Sequence, residues 1–183
     1  VLDALKILWH LAWGRRTLWQ YYTNVTWRTC ERCLAWHGRI GASPRVFPNP
    51  NDGCERKLLA FPVWELSTYR EKARLMRRRV EEELERRRLF QEAKETLLKA
   101  PEQAMELFDR AAAVDVYIPE LEQLAREHGE SLAGAPELSA RLREIFLRRW
   151  SEKFAKARYE RLPERMRLAR EKWGENRIKE LFP

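Results

Sequence analysis

Thr29-Cys30-Glu31-Arg32-Cys33-Leu34-Ala35-Trp36-His37-Gly38-Arg39 is the stretch whose reading decides how this chain is organised. It carries two of the three cysteines, and the third, Cys54, follows Asp52-Gly53 about twenty residues later. Two thiols separated by two residues can turn back on one metal ion, because the intervening pair forms a tight knuckle. His37 lies four positions after Cys33, about one helical turn further on. Cys30, Cys33, His37 and Cys54 together make a three-thiolate, one-imidazole set, the donor chemistry of a closed structural zinc site. If His37 is not the fourth ligand, Asp52 or a water is next in line. Two other readings stay open: a redox pair formed by Cys30 and Cys33, which calls for a strand-to-helix context, and three unligated cysteines. A second complete Cys-x-x-Cys would have made the zinc signature much more specific.

On the N-terminal side of the knuckle, residues 2 to about 22 read as a helix. Leu5, Leu8, Trp9, Ala12, Trp13, Leu18, Trp19 and Tyr22 recur at spacings of three and four. Leu2 to Trp13 is interrupted by Asp3, Lys6 and His10 and is too short to span a bilayer. Its tryptophans and basic residues also suit a membrane-surface contact. Residues 27–66 read as irregular, with Pro44, Pro48, Pro50, Pro62, Gly38, Gly41 and Gly53, and with a short hairpin through Gly38-Arg39-Ile40 and Arg45-Val46-Phe47. So long an irregular stretch needs a staple, and a metal would serve.

From Ser67 onward the pattern is helical. Thr68-Tyr69-Arg70-Glu71 reads as a capping box, and Met76, Val80, Leu84, Phe90, Ala93 and Leu97 form a stripe to about Ala100. Its flanks, Arg77-Arg78-Arg79, Glu81-Glu82-Glu83 and Arg86-Arg87-Arg88, suit ion pairs one turn apart on a solvated face. Pro101 starts another helix with Met105, Leu107 and Phe108 inward. Pro119 starts one ending near His128-Gly129, and Pro136 a long one with Leu138, Leu142, Ile145, Phe146, Trp150, Phe154 and Ala157 on one face. Pro163 kinks or restarts it, and Met166, Ala169 and Trp173 continue the stripe to Gly174. The fold class is therefore mainly α: long helices with an irregular, zinc-stapled segment near the N-terminus. The expected domains are residues 1–66, a helix plus the Cys/His segment, and residues 67–183, a helical extension or bundle.

Composition narrows the function. The 183 residues are 44% hydrophobic, too apolar for a disordered chain, and 35% charged, which favours long solvated helices. An odd number of cysteines argues against a secreted disulfide scaffold. The net charge of +8 rests on 27 Arg and 9 Lys, and arginine is the better phosphate reader because its planar fork donates two bonds at once. Arg141, Arg148, Arg149, Lys153, Lys156 and Arg158 share one helix, opposite its apolar stripe, and form the candidate nucleic-acid face. The same residues also suit a solvated surface partly neutralised by Glu144, Glu152 and Glu160. No Gly-rich phosphate loop, nucleophile elbow or HExxH motif is present, and no acid–base set can be assembled from residues near the histidines, so the chain reads as non-enzymatic. It begins with Val, which fits a processed, alternatively initiated or truncated start.

The order of features resembles the phage minor head protein family, the head morphogenesis proteins of the Mu type, over about residues 10–60. The elements that carry the resemblance are Arg15-Arg16-Thr17-Leu18-Trp19-Gln20-Tyr21, Trp27-Arg28-Thr29, Cys30-Glu31-Arg32-Cys33, Gly38-Arg39, the prolines 44, 48 and 50, and Cys54-Glu55-Arg56. Where that family closes with His-Pro-x-Cys-Arg-Cys, this chain has Asn49-Pro50-Asn51-Asp52-Gly53-Cys54-Glu55-Arg56, so His37 would have to replace the closing histidine as a ligand. The resemblance implies a virion or prophage protein at the portal or inner capsid that touches packaged double-stranded DNA, with a cytoplasmic or virion location. The competing expectation is a structural subunit of a larger protein complex, with the Trp-rich and long amphipathic helices as its interfaces.

Overall fold

The computed structural model describes residues 17–50, 53–155 and 163–183. Six helices and one small three-stranded sheet make up the described residues. The fold is mainly α, as the periodicity predicts. The chain divides into two compact units, Val1–Glu83 and Leu84–Pro183. The boundary between these units lies inside a helix, Leu66–Thr96.

In the first unit the expectation of a helix to residue 22 fails. Thr17–Thr23 is a strand, β1, and the rest of the expected helix lies outside the described residues. Thr17, Trp19, Tyr21, Tyr22 and Thr23 are β-branched or aromatic residues that fit a pleated surface. Spacings of three and four among neighbouring aromatics cannot exclude a strand; only its pairing partners decide. These are β2 (Ile40–Gly41) and β3 (Arg56–Pro62), which flank β1 on either side, both antiparallel. Thr17 pairs with Pro62 and Thr23 with Arg56, so β1 is covered along its whole length. The segment read as irregular thus supplies two strands. The expected hairpin does not form: Ile40 and Gly41 pair with Gln20 and Trp19, and Pro44–Val46 is a 3-10 turn.

Between β1 and β2 runs α1 (Glu31–Trp36). Gly38 follows it with φ +81°, donates its N–H to Tyr21 O at 2.9 Å, and approaches the next helix closely: a Cβ there would lie 3.1 Å from both Ala73 O and Met76 Cβ. Backbone conformation and space both require glycine here. One apolar cluster of the unit is Leu18 and Phe61, packed by Ile40, Val63, Leu66 and Tyr69, with the Phe61 and Tyr69 rings stacked at 3.8 Å; Tyr21, Leu34, Phe47 and Ala73 are buried as well. A 3-10 turn, Val63–Glu65, leads into α2 (Leu66–Thr96), so Thr68-Tyr69-Arg70-Glu71 lies within the helix and does not cap it.

The second unit is built from the C-terminal part of α2 and from α3 (Pro101–Val114), α4 (Ile118–Ala133), α5 (Pro136–Ala155) and α6 (Glu164–Leu181). Pro101, Pro119 and Pro136 stand in first turns, where their missing N–H costs nothing. A row of rings threads the core: Phe90 to Phe108 at 5.2 Å, Phe108 to Phe146 at 5.8 Å, Phe146 to Phe182 at 5.5 Å. Buried Leu138, Leu142, Phe146, Trp150 and Phe154 form the expected α5 stripe, with Ile145 packed at its margin; Ala157 lies outside the described residues.

Two expectations for this unit fail. α4 runs through His128-Gly129 to Ala133, because one glycine costs a helix only about 1 kcal/mol, less than the burial of Leu132 returns. α6 runs past Gly174 to Leu181 and buries Gly174 and Ile178, with Phe182 just beyond it, while Met166 and Trp173 are exposed. The Trp150 indole decides that face. It lies over Gly174 and donates Nε1–H to Glu171 O at 3.0 Å.

A Cβ at Gly174 would fall 2.1 Å from Trp150 Cε2. Gly174→Ala gains about 1 kcal/mol of helix propensity but overpacks a site that costs about 1–3 kcal/mol to distort. The expected net effect is a loss of up to about 2 kcal/mol, read by urea unfolding. A stabilised variant would show that Trp150 can move aside.

Candidate metal centre

The three cysteines come together in the first unit. Their Sγ atoms all lie within 4.8 Å of one another, and no disulfide joins them. Two thiolates at about 2.3 Å from one tetrahedral zinc stand roughly 3.8 Å apart, so the spacing needs little adjustment to hold an ion. Local structure explains the convergence. Cys30 is the N-cap of α1, and its Sγ accepts the Cys33 N–H at 3.4 Å. Cys54, just before β3, accepts the Cys30 N–H on its Sγ, also at 3.4 Å. Pairing of β3 with β1 brings Cys54 back to the knuckle, since Thr23 at the end of β1 is opposite Arg56.

Electrostatics oppose three thiolates without a cation. The N–H of Cys30 pulls the Cys54 thiol pKa down, but burial and the neighbouring Cys30 and Cys33 outweigh it and leave the pKa raised. A divalent ion reverses that balance by deprotonating the thiols it binds.

His37, expected as the fourth ligand, is not brought to the sulfurs. α1 ends at Trp36, and His37 turns away as its C-cap. Its Nδ1 accepts the Thr23 backbone N–H at 3.1 Å and its ring packs on Tyr22 at 5.2 Å. That bond leaves the remaining proton on Nε2, so the neutral ring has no lone pair to offer a metal. Burial alone pushes the His37 pKa down to about 4. Asp52 lies outside the described residues. Sequence reasoning missed Tyr21, whose wholly buried hydroxyl meets Cys33. Its only signal was Tyr21's place in a strand, which the helical reading hid.

The candidate nucleic-acid residues meet a different fate. Arg141 makes a bidentate pair with Glu102. Arg149 Nε and Nη2 reach both oxygens of Asp109 at 2.8 and 2.7 Å, and Arg148 joins at 2.7 Å. Lys153, half-buried, reaches Asp115 at 2.8 Å and Val116 O at 2.8 Å. Glu102 and Asp109 are seven positions apart, as are Arg141 and Arg148. The row is therefore a seam between parallel α3 and α5, in which arginine and lysine meet the carboxylates of the neighbouring helix. Asp109 is held below the ordinary carboxylate range, first by its bond from Arg149. Lys156 and Arg158 lie outside the described residues. The matching seven-residue spacing of acids and bases was the available sequence signal.

No family model matches the chain, and no curated protein or solved structure matches it.

Two predictions follow from these contacts. His37 binds its proton less readily folded than unfolded, so the unfolded chain holds more protons between about pH 6.5 and pH 4. Its contribution is present above pH 6.5 and is lost as pH falls toward 4, about 3 kcal/mol in all. Unfolding measured across that window should show a steeper loss for the parent protein than for His37→Gln; equal slopes would place the imidazole in water. At the seam, Asp109→Ala and Arg149→Glu should each cost about 1–2 kcal/mol, because each strands a partly buried partner. A solvated face would keep both within about 0.5 kcal/mol of the parent.

Proposed function

We propose that the chain is a non-enzymatic binding and assembly protein whose N-terminal unit is stapled by a zinc ion on Cys30, Cys33 and Cys54. The observation that carries this reading is the convergence of three thiols within 4.8 Å, with backbone N–H groups already directed at two of them. When bound, zinc supplies a structural cross-link. The protein supplies the rest: the α1 N-terminus positions Cys30 and Cys33, and the β1–β3 ladder delivers Cys54. A group outside the described residues, with Asp52 the candidate, or a water fills the fourth position.

The partner we propose is a protein assembly, and the resemblance to phage minor head proteins makes a capsid or portal its specific form. Duplex DNA is the weaker partner on this geometry, since Arg141, Arg148, Arg149 and Lys153 are engaged by carboxylates of their own chain. A subunit of another large complex is the second reading, favoured by Trp64 and Trp173, which stand 68% and 57% exposed, far above what an indole usually shows water. Among the described residues no helix is long and apolar enough to cross a membrane.

Metal analysis of the purified protein tests the staple. The expected result is one zinc per chain, lost in Cys30→Ser and Cys54→Ser and retained in His37→Ala, with a melting temperature that falls on chelation. Zinc-free protein with three readily titrated thiols in the native state would remove the reading.

A further inference from the structure

Tyr21 is an anomaly in the first unit. It sits in the middle strand with no exposed surface, its N–H bound to Arg39 O and its carbonyl to Gly38 N–H, both at 2.9 Å. The ring packs on Phe47 at 5.8 Å, and Phe47 in turn meets Trp36 edge-on at 6.0 Å. A phenylalanine would satisfy all of this. The hydroxyl has no hydrogen-bond partner among the described residues, although a buried unpaired hydroxyl is costly. It is in contact with Cys33, one of the three clustered thiols.

A neutral thiol is a weak acceptor, whereas a thiolate is a strong one. Three thiolates around one divalent cation carry a net negative charge, which such sites offset by donors directed at the sulfurs. Backbone N–H groups already serve Cys30 and Cys54. Resting on the zinc reading, we propose that Tyr21 is a positioning residue whose hydroxyl donates a hydrogen bond to the Cys33 thiolate of the metal-loaded site. The unpaired hydroxyl is thus a donor whose acceptor arises on metal binding. A phenol is protonated at neutral pH and so has a proton to donate.

Tyr21→Phe in the full chain, compared with the parent in the zinc-loaded state, tests this. Zinc should bind at unchanged stoichiometry, with affinity in chelator competition lower by about 10–100-fold. Alkylation of the loaded protein by iodoacetamide, mapped by mass spectrometry, should accelerate at Cys33 while Cys30 and Cys54 keep their parent rates. Unchanged affinity and rates would overturn the assignment. So would equal acceleration at all three sulfurs, which indicates general loosening. Loss of zinc altogether, with a phenolate absorption band in the parent protein, would make Tyr21 a ligand and also overturn it. A parent protein that binds no zinc removes the functional reading and this inference together; a zinc-loaded parent indifferent to Tyr21→Phe removes this inference alone.

Discussion

A charge taken out of water must find an opposite charge or a dense set of hydrogen bonds, and the second unit is arranged around that constraint. Arg86, 1% exposed, reaches both oxygens of Glu120 and lies over the Tyr117 ring at 4.8 Å. Lys153 is enclosed by Asp115, Val116 O and the Trp150 and Tyr117 rings. Breaking such a pair by removing one partner costs far more than the pair itself contributes, because a bare buried charge remains. These contacts therefore act mainly as register marks, fixing α2 against α4 and α5 against the end of α3 and penalising a slip. Exposed pairs along α2, such as Arg78–Glu82 and Arg88–Glu85, carry no such weight, being screened and costly in side-chain entropy.

The same constraint reshapes the meaning of the net charge of +8. A basic stripe opposite an apolar one looks like a phosphate-binding surface when the helix is considered alone. Once Glu102 and Asp109 come alongside, phosphates would have to displace carboxylates already making two-pronged bonds. The first unit works on a different economy. Its core is small, and its described loops are held by close backbone approaches at Gly38 and Gly41 and by the convergence of the cysteines. A metal would there replace the apolar burial that a domain of this size lacks.

Much was legible in the one-dimensional pattern. Proline placement marked the starts of α3, α4 and α5, since a residue without an N–H is tolerated only where that donor would be orphaned. The buried stripe from Leu138 to Phe154 followed from a period of 3.6 residues, and the knuckle Cys30-Glu31-Arg32-Cys33 from its spacing. These are local properties, set by a few consecutive residues and one helix geometry.

What tertiary structure alone decided has a common physical origin in contacts between distant residues. Thr17–Thr23 is a strand because β2 and β3 lie on either side of it, and nothing within those seven residues announces partners some twenty and forty positions away. His37 is a buried acceptor for Thr23 because α1 stops one residue before it. The face of α6 that is buried is set by where Trp150 falls, against Gly174, and so Met166 and Trp173 are left in water. Sequence alone thus determined the long helices that follow residue 66 and which thiols come together. Packing determined which way each helix faces and which charges are already taken, because burial and pairing depend on neighbours that only the folded chain brings within reach.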